Sequence, residues 1–421
     1  MTGALADGAP RVLWGATLFD GHEHHAEPRA VRLADGRIAA VEPATGDLPP
    51  DALDLRGRTI LPGLIDAHAH LTSDTERSPG FGPPPALHGE APRPPELRWF
   101  VLADVGRALI RAGFTSVRDV GAYDDEAIVL REAVRLGLAE GPRILTCGRI
   151  VSATSPGGRL FGTMYREADG PWAMRAAVRE QLRRGADYVK VMATGARSVV
   201  GEDPEPAQVT RDELAALIDE AHRLGVRVAA HAEGLDGARL AVEEGVDTIE
   251  HGLSLHRELA LLDRMAARGI VLVPTLTTFH DLAERFADDF APTLVEQAKR
   301  QLEEAYRTLA AARAAGVTIA LGYDSGPPGE NARELVRLAA GGLTNVEALA
   351  AATAGGAAAL GLADRGRVVP GAAADLVVVD GDPIASPAVL LDPAAIALVL
   401  RDGVVVAGHA APAGGTGVRA T

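Results

Sequence analysis

The sequence predicts an α/β protein: a (β/α)8 TIM barrel with a small composite β-sandwich domain drawn from both termini. Three observations predict it. Apolar segments of strand length alternate with helical segments through the middle of the chain, which argues for a parallel sheet with crossover helices. Eight such strands can be counted, which favours a closed barrel over an open sheet. Patterning of the β type alone is confined to the two ends. The chain of 421 residues exceeds one ordinary domain and suits one barrel with an appendage. The expected division is 1–60 and 366–421 for the two parts of the β-domain, and 61–365 for the barrel.

The amino-terminal part reads as strands Arg11-Val12-Leu13-Trp14, Ala30-Val31-Arg32-Leu33 and Arg37-Ile38-Ala39-Ala40-Val41. Asp35-Gly36 between the last two is a hairpin signal. His22, His24 and His25 fall in the first loop, where no apolar strand orients them and a solvated hairpin loop is the simpler reading. At the other end, Ala374–Asp380 reads as a strand, and Ile396–Leu400 and Val404–Ala407 flank a second Asp-Gly turn, Asp402-Gly403. Between them the expected barrel strands are Leu61–His70, Ser116–Val120, Ile144–Cys147, Tyr188–Met192, Val226–His231, Thr248–His251, Val271–Leu276 and Thr318–Tyr323. Helices are expected over Arg211–Leu224, after the cap Thr210, and over Leu294–Ala315. The Pro/Gly-rich stretch Ser73–Pro95 follows the first strand; its length and place suggest either a substrate lid or a disordered segment.

Composition excludes several classes. A net charge of −15 argues against nucleic acid and anionic membrane surfaces. No apolar run is long enough to span a membrane. The single cysteine, Cys147, excludes an internal disulfide and fits a reducing compartment. Met1–Pro10 lacks the pattern of a secretory signal, so a cytoplasmic protein is expected. Of 42 basic residues only Lys190 and Lys299 are lysines, which suggests that arginine cannot serve at 190.

Strand interiors in a parallel barrel are apolar, yet five strands break this rule at or near their carboxyl ends. His68 and His70 end the first, two apart and therefore on one face. Lys190 interrupts the fourth, His231 ends the fifth, His251 the sixth and Asp324 the eighth. Each has a structural alternative: a hydrogen-bonded histidine, a Lys190–Asp187 ion pair, an Asp324 helix cap. Polar groups at the carboxyl ends of barrel strands read as catalytic, and six on one mouth form a metal-ligating constellation.

The stretch Leu61-Pro62-Gly63-Leu64-Ile65-Asp66-Ala67-His68-Ala69-His70 resembles the signature of the amidohydrolase superfamily, whose members carry His-x-His at the end of the first barrel strand. The likeness runs from about Leu53 to about Asp380 and points to the imidazolonepropionase-like, Xaa-Pro dipeptidase-like branch. By that resemblance, His68, His70 and Asp324 hold one divalent cation, and His231 and His251 hold a second. Lys190, in Val-Lys-Val-Met-Ala-Thr-Gly, is carbamylated by CO2 and bridges them together with a hydroxide. Asp324 then serves as general base and general acid. Zinc is the default for a His-rich site, with Mn, Co or Fe as alternatives. Mononuclear deaminase-type relatives place a Glu three residues after the fifth-strand His; here that position is Gly234, which with Lys190 favours the binuclear hydrolases.

The substrate is read from loops. Arg159, in a Gly-rich loop after the third strand, and Arg197, beyond the fourth, are candidates for binding a carboxylate. Tyr165 could hydrogen-bond a carbonyl oxygen, and His280 is a candidate pocket residue. The expected activity is metal-dependent hydrolysis of an amide C–N bond in a dipeptide (Xaa-Pro-like) or N-acyl amino acid with a free carboxylate. A mononuclear deaminase or cyclic amidase acting on a heterocycle, and a non-catalytic barrel scaffold, are the rival readings. Homo-oligomers are common in such families.

Overall fold

A computed structural model describes residues 11–72, 96–196, 199 and 201–409. The candidate lid, Ser73–Pro95, and Arg197 lie outside the described residues. The first five strands are β1 (Val12–Phe19), β2 (His24–Ala34), β3 (Arg37–Pro43), β4 (Ala52–Asp54) and β5 (Thr59–Pro62). The barrel region follows with β6 (Leu64–Ala69), β7 (Phe114–Asp119), β8 (Arg143–Thr146), β9 (Ile150–Ser152), β10 (Tyr165–Glu167), β11 (Val189–Met192), β12 (Val228–Ala232), β13 (Thr248–His251) and β14 (Val271–Val273). The chain returns through β15 (Leu376–Val379), β16 (Ile396–Arg401) and β17 (Val404–Gly408).

Both ends of the chain build one hydrogen-bonded sheet of eight strands, in the order β17-β16-β15-β5-β1-β2-β3 with β4 beside β1. Both Asp-Gly turns adopt the conformation expected of tight hairpins, with positive φ at Asp35 (51°), Gly36 (74°), Asp402 (50°) and Gly403 (75°). The turns also touch: a Cβ on Gly36 would lie 2.9 Å from the carbonyl oxygen of Asp402. Leu13, Leu18, Val31, Ile60, Leu376 and Leu398 fill one side of this sheet as a single apolar cluster.

The barrel strands pair in parallel as two arcs, β10-β9-β11-β12-β13-β14 and β6-β7-β8. Backbone hydrogen bonds close the ring. Leu272 N donates to Thr318 O (2.9 Å), Ala320 N to Leu272 O (2.9 Å) and Ala67 N to Leu321 O (2.8 Å), so residues 318–321 join β14 to β6. Asp187 N donates to Thr146 O (2.8 Å), joining β8 to the chain that enters β11.

Two expected strands come out differently. The run Leu61–His70 is not one strand. It breaks at Gly63, where the chain passes from the terminal sheet (Leu61 opposite Val377) into the barrel. Gly63 N donates to Asp375 O (2.8 Å), and a Cβ there would lie 2.1 Å from Thr115 Oγ1, so only glycine fits the crossing. The eighth strand, expected over Thr318–Tyr323, shrinks to an isolated bridge between Leu272 and Ile319. Its ladder is interrupted where Leu321 N donates to Ala351 O (2.9 Å) and Tyr323 N to the Asp66 carboxylate (3.3 Å). The short strands β9 and β10 were not foreseen. The helix after Thr210 runs Arg211–Arg223 and carries a full capping box with Glu213. Among the described residues, no helix is long and apolar enough to cross a membrane.

Candidate metal centre

The six strand-end residues meet in one pocket of about 590 Å³, counted to its open mouth. His68, His70, Lys190, His231, His251 and Asp324 all line it. Parallel strands in a barrel end on one face, which is why residues far apart in sequence converge here. His68 Nε2 and His70 Nε2 lie 3.5 Å and 3.6 Å from Asp324 Oδ1, and His251 Nδ1 lies 4.0 Å from Asp324 Oδ2. The His231 and His251 rings are 4.6 Å apart, and those of His68 and His251 5.1 Å. Candidate ligand atoms of His68, His251 and Asp324 fall within 4.8 Å of one another, a grouping that cuts across the expected division of the ligands between two cations.

Other groups orient these side chains. His68 Nδ1 meets Glu250 Oε2 at 2.7 Å, and His70 Nδ1 meets Gly121 O at 3.0 Å, so both rings turn Nε2 toward Asp324. This is the arrangement expected of metal-binding imidazoles. His251 Nδ1 meets Thr275 Oγ1 at 2.7 Å. Asp66, fully buried, accepts from the backbone N–H of His68 (2.9 Å) and from Asn331 Nδ2 (2.6 Å), which fixes the end of β6. Three non-glycine residues at the pocket take left-handed backbone: His251 (φ 68°), Thr275 (49°) and Asp324 (45°). Such residues cost about 1–3 kcal/mol each and cluster at functional sites. At His251 the conformation breaks strand alternation, so that Glu250 and His251 both face the barrel interior.

Burial sets the electrostatics. It pushes the His68 imidazole well below its usual range, helped by the charge of Lys190. It pushes His70 down to about 4, and Lys190 adds to this while the Gly121 carbonyl opposes it. Both rings are therefore neutral at neutral pH, the form that binds metal. Burial brings Lys190 down to about 8, against the pull of Glu250. Lys190 is 2% exposed and its Nζ has no hydrogen-bond partner among the described residues. The alternative pairing with Asp187 does not form, since Asp187 pairs with Arg131 at 2.6 Å. The alternative capping role of Asp324 does not form either: the next helix, Arg333–Ala340, has Ala332 at its N-cap.

The four substrate-binding candidates separate. Tyr165 lines the pocket, with its ring stacked on Phe161 at 5.0 Å. Arg159 is exposed on the short helix Pro156–Phe161 and is not among the lining residues. His280 is turned to the Tyr306 hydroxyl, 2.6 Å from its Nε2, and is likewise not among the lining residues. Arg197 lies outside the described residues. Ile150, Phe161, Met164, Met192 and Leu282 form an apolar wall.

Sequence reasoning missed Glu250 and Arg118, and it gave Glu233 no role. The first two are charged residues inside barrel strands and break the same apolar rule that exposed Lys190. Glu233 lines the pocket just past the end of β12, with its Oε1 3.4 Å from His231 Nε2.

Comparison with known proteins places the chain in a family. The chain matches the amidohydrolase family over residues 59–406. The chain belongs to that family. It is 29% identical over 433 aligned residues to the ochratoxinase of Aspergillus niger, covering 93% of this chain and 85% of that protein. The crystal structure of a Xaa-Pro dipeptidase with methionine bound in its active site superposes with a TM-score of 0.82 at 27% identity, covering 94% of this chain and 98% of the other. A prolidase complexed with N-methylphosphonate-L-proline gives a TM-score of 0.81 at 31% identity, covering 94% and 99%. This amidohydrolase is accordingly a hydrolase of carbon–nitrogen bonds with the barrel fold of the Xaa-Pro dipeptidase-like branch. The family is in general metal-dependent, and the His/Asp cluster at the pocket could bind a metal.

Proposed function

We propose that this amidohydrolase cleaves the amide C–N bond of a Xaa-Pro-like dipeptide or an N-acyl amino acid with a free carboxylate, at a centre of two divalent cations, zinc by its donor set. His68, His70 and Asp324 would hold one cation and His231 and His251 the other. Lys190 would serve both as a carbamate, formed when its neutral amine adds CO2 and releases a proton. The observation that carries this reading is Lys190 itself, an amine buried without a partner among four histidines and an aspartate. An ammonium is costly there, whereas a carbamate supplies two oxygens suited to bridging. Arginine has no equivalent chemistry, because its guanidinium stays protonated.

When bound, two cations lower the pKa of a shared water toward neutrality and polarise a carbonyl oxygen. The residues of the chain do the rest. Asp324, fixed by its backbone N–H to His68 O (2.9 Å), takes the proton of the attacking water and returns it to the leaving nitrogen. Phe161, Met164 and Leu282 exclude bulk water and receive apolar parts of the substrate. The dipeptide and N-acyl amino acid class is supported by likeness to structures holding methionine or a phosphonate analogue of an acyl-proline. The ochratoxinase likeness keeps larger amides within the same class.

Glu233 favours a second reading, a mononuclear centre acting on a heterocycle, because it brings a carboxylate into the pocket beside His231. That reading leaves Lys190 without a role. Elemental analysis after dialysis in bicarbonate buffer separates them. About two equivalents of metal per chain support the binuclear hydrolase, and about one supports the mononuclear reading. None, even after metal is added back, leaves a non-catalytic scaffold.

A further inference from the structure

Behind His68, inside the barrel, lies a closed set of polar contacts that the reaction above does not use. Arg118 on β7, Thr248 and Glu250 on β13 and His68 on β6 are all buried. Arg118 donates through Nε to Ala67 O (2.6 Å), through Nη1 to Thr248 Oγ1 (3.1 Å) and through Nη2 to Glu250 Oε1 (2.7 Å). Thr248 Oγ1 thus already accepts a hydrogen bond, and it donates its own hydrogen to Glu250 Oε1 at 2.5 Å. Two donors converge on Oε1, which leaves Oε2 for His68 Nδ1 at 2.7 Å.

With Glu250 as the carboxylate of the buried ion pair with Arg118 (2.7 Å), the donor count leaves one solution. A guanidinium has no acceptor atom, and a carboxylate without its proton has no donor. Oε1 must therefore be an acceptor, and Oε2 is an acceptor as well. A neutral His68 ring must then carry its proton on Nδ1 and leave a lone pair on Nε2, the atom 3.5 Å from Asp324. We infer that Glu250, held by Arg118, is a positioning residue that locks His68 in the tautomer able to bind metal through Nε2. The inference rests on the proposed metal site for its consequence, although the tautomer itself is a property of the protein alone.

Glu250→Gln makes the test sharp. One oxygen becomes an NH2 group, and it cannot sit at the Oε1 position, where it would face the Arg118 donor. The amide nitrogen therefore turns to His68, whose Nδ1 must become the acceptor. The ring proton moves to Nε2 and blocks the metal-facing atom. In Arg118→Met/Glu250→Gln the amide is free to turn over: its nitrogen can donate to Thr248 Oγ1 and its oxygen can accept from His68 Nδ1. The double variant should then recover what the single variant loses.

The readouts are the ring nitrogen shifts of His68 in 15N-histidine-labelled, chelator-treated protein, assigned through His68→Gln, and zinc affinity by chelator competition. Wild type should show the Nδ1–H form and Glu250→Gln the Nε2–H form, with zinc affinity about 10- to 100-fold weaker. The double variant should return to Nδ1–H and regain zinc affinity. An Nε2–H ring in wild type overturns the inference and needs no variant to fold. So does an unchanged ring in Glu250→Gln, or a double variant that binds zinc more weakly than the single one, as a merely structural role would give. Wild type that takes up no zinc would remove the proposed function, and the spectra would still decide the tautomer.

Discussion

Lys190 should have opposite effects on activity and on the stability of the bare protein. Lys190→Ala should abolish turnover of a Xaa-Pro dipeptide, and short carboxylic acids such as acetate should restore part of it by entering the space of the carbamate. Full activity in Lys190→Ala would sink the binuclear reading. The same side chain burdens the metal-free, bicarbonate-free protein. Its pKa falls from 10.5 in the unfolded chain to about 8 in the fold, with burial the leading cause. The sign follows from proton counting. Between pH 8 and 10.5 the unfolded chain holds the proton and the fold does not, so stability rises with pH across that window. Below pH 8 the full penalty applies, at most about 3 kcal/mol for such a shift. Lys190→Met should therefore make the metal-free protein more resistant to urea at pH 7, by about 1–3 kcal/mol, while abolishing its activity. A metal-free Lys190→Met less stable than wild type at pH 7 would show that the amine is not a buried burden.

Among the elements, the strand ends matter more than the strands. Gly322, in the segment that closes the ring, faces the first barrel strand so closely that a Cβ would lie 2.6 Å from His68 Cβ and 2.4 Å from Val273 Cγ1. Gly322→Ala should cost about 1–3 kcal/mol through overpacking and should also weaken metal binding, because the displaced atom belongs to His68, a proposed ligand. Urea unfolding and metal content measured together check this; lost stability with unchanged metal affinity would mean that β6 absorbs the strain elsewhere. The same elements show what the sequence could and could not reveal. His68, His70, His231, His251 and Asp324 were legible because each stands where an apolar run stops, and a period of two places the first pair on one face. Arg118 and Glu250 were not, because their partners are 132 residues apart and a charged residue within a strand looks alike whether it faces water or a buried counter-charge. The change of sheet at Gly63 was hidden inside the unbroken apolar run Leu61–Ile65, since hydropathy does not say which neighbour a strand pairs with. Arg159 read as a pocket residue because its loop leads there, yet a short helix turns it to solvent while Phe161, two residues on, lines the pocket.

At the scale of the whole molecule, the terminal sheet and the barrel share a core. Val377, Val379, Ile396 and Val399 from the last strands belong to one buried cluster with Leu64, Phe114 and Val117 from the barrel. Arg143 on β8 binds Asp375 (2.9 Å) and Asp402 (2.7 Å), and Arg365 binds the same two carboxylates at 2.8 Å and 2.9 Å. The surface part of this network adds little, but the shared apolar cluster cannot be divided without exposing both halves to water. Sheet and barrel should therefore unfold as one cooperative unit. The tryptophans allow a direct test. Trp14 lies buried in β1, whereas Trp99 and Trp172 are exposed on the helices Leu97–Arg111 and Pro171–Arg184. In Trp99→Phe/Trp172→Phe the remaining emission reports the sheet, while helical circular dichroism reports the barrel, because every described α-helix lies between Leu97 and Leu360. The two urea curves should superimpose with one midpoint. A Trp14 transition well below the helical one would mean that the sheet comes away first and that the barrel, with its strand-end ligands, holds together without it.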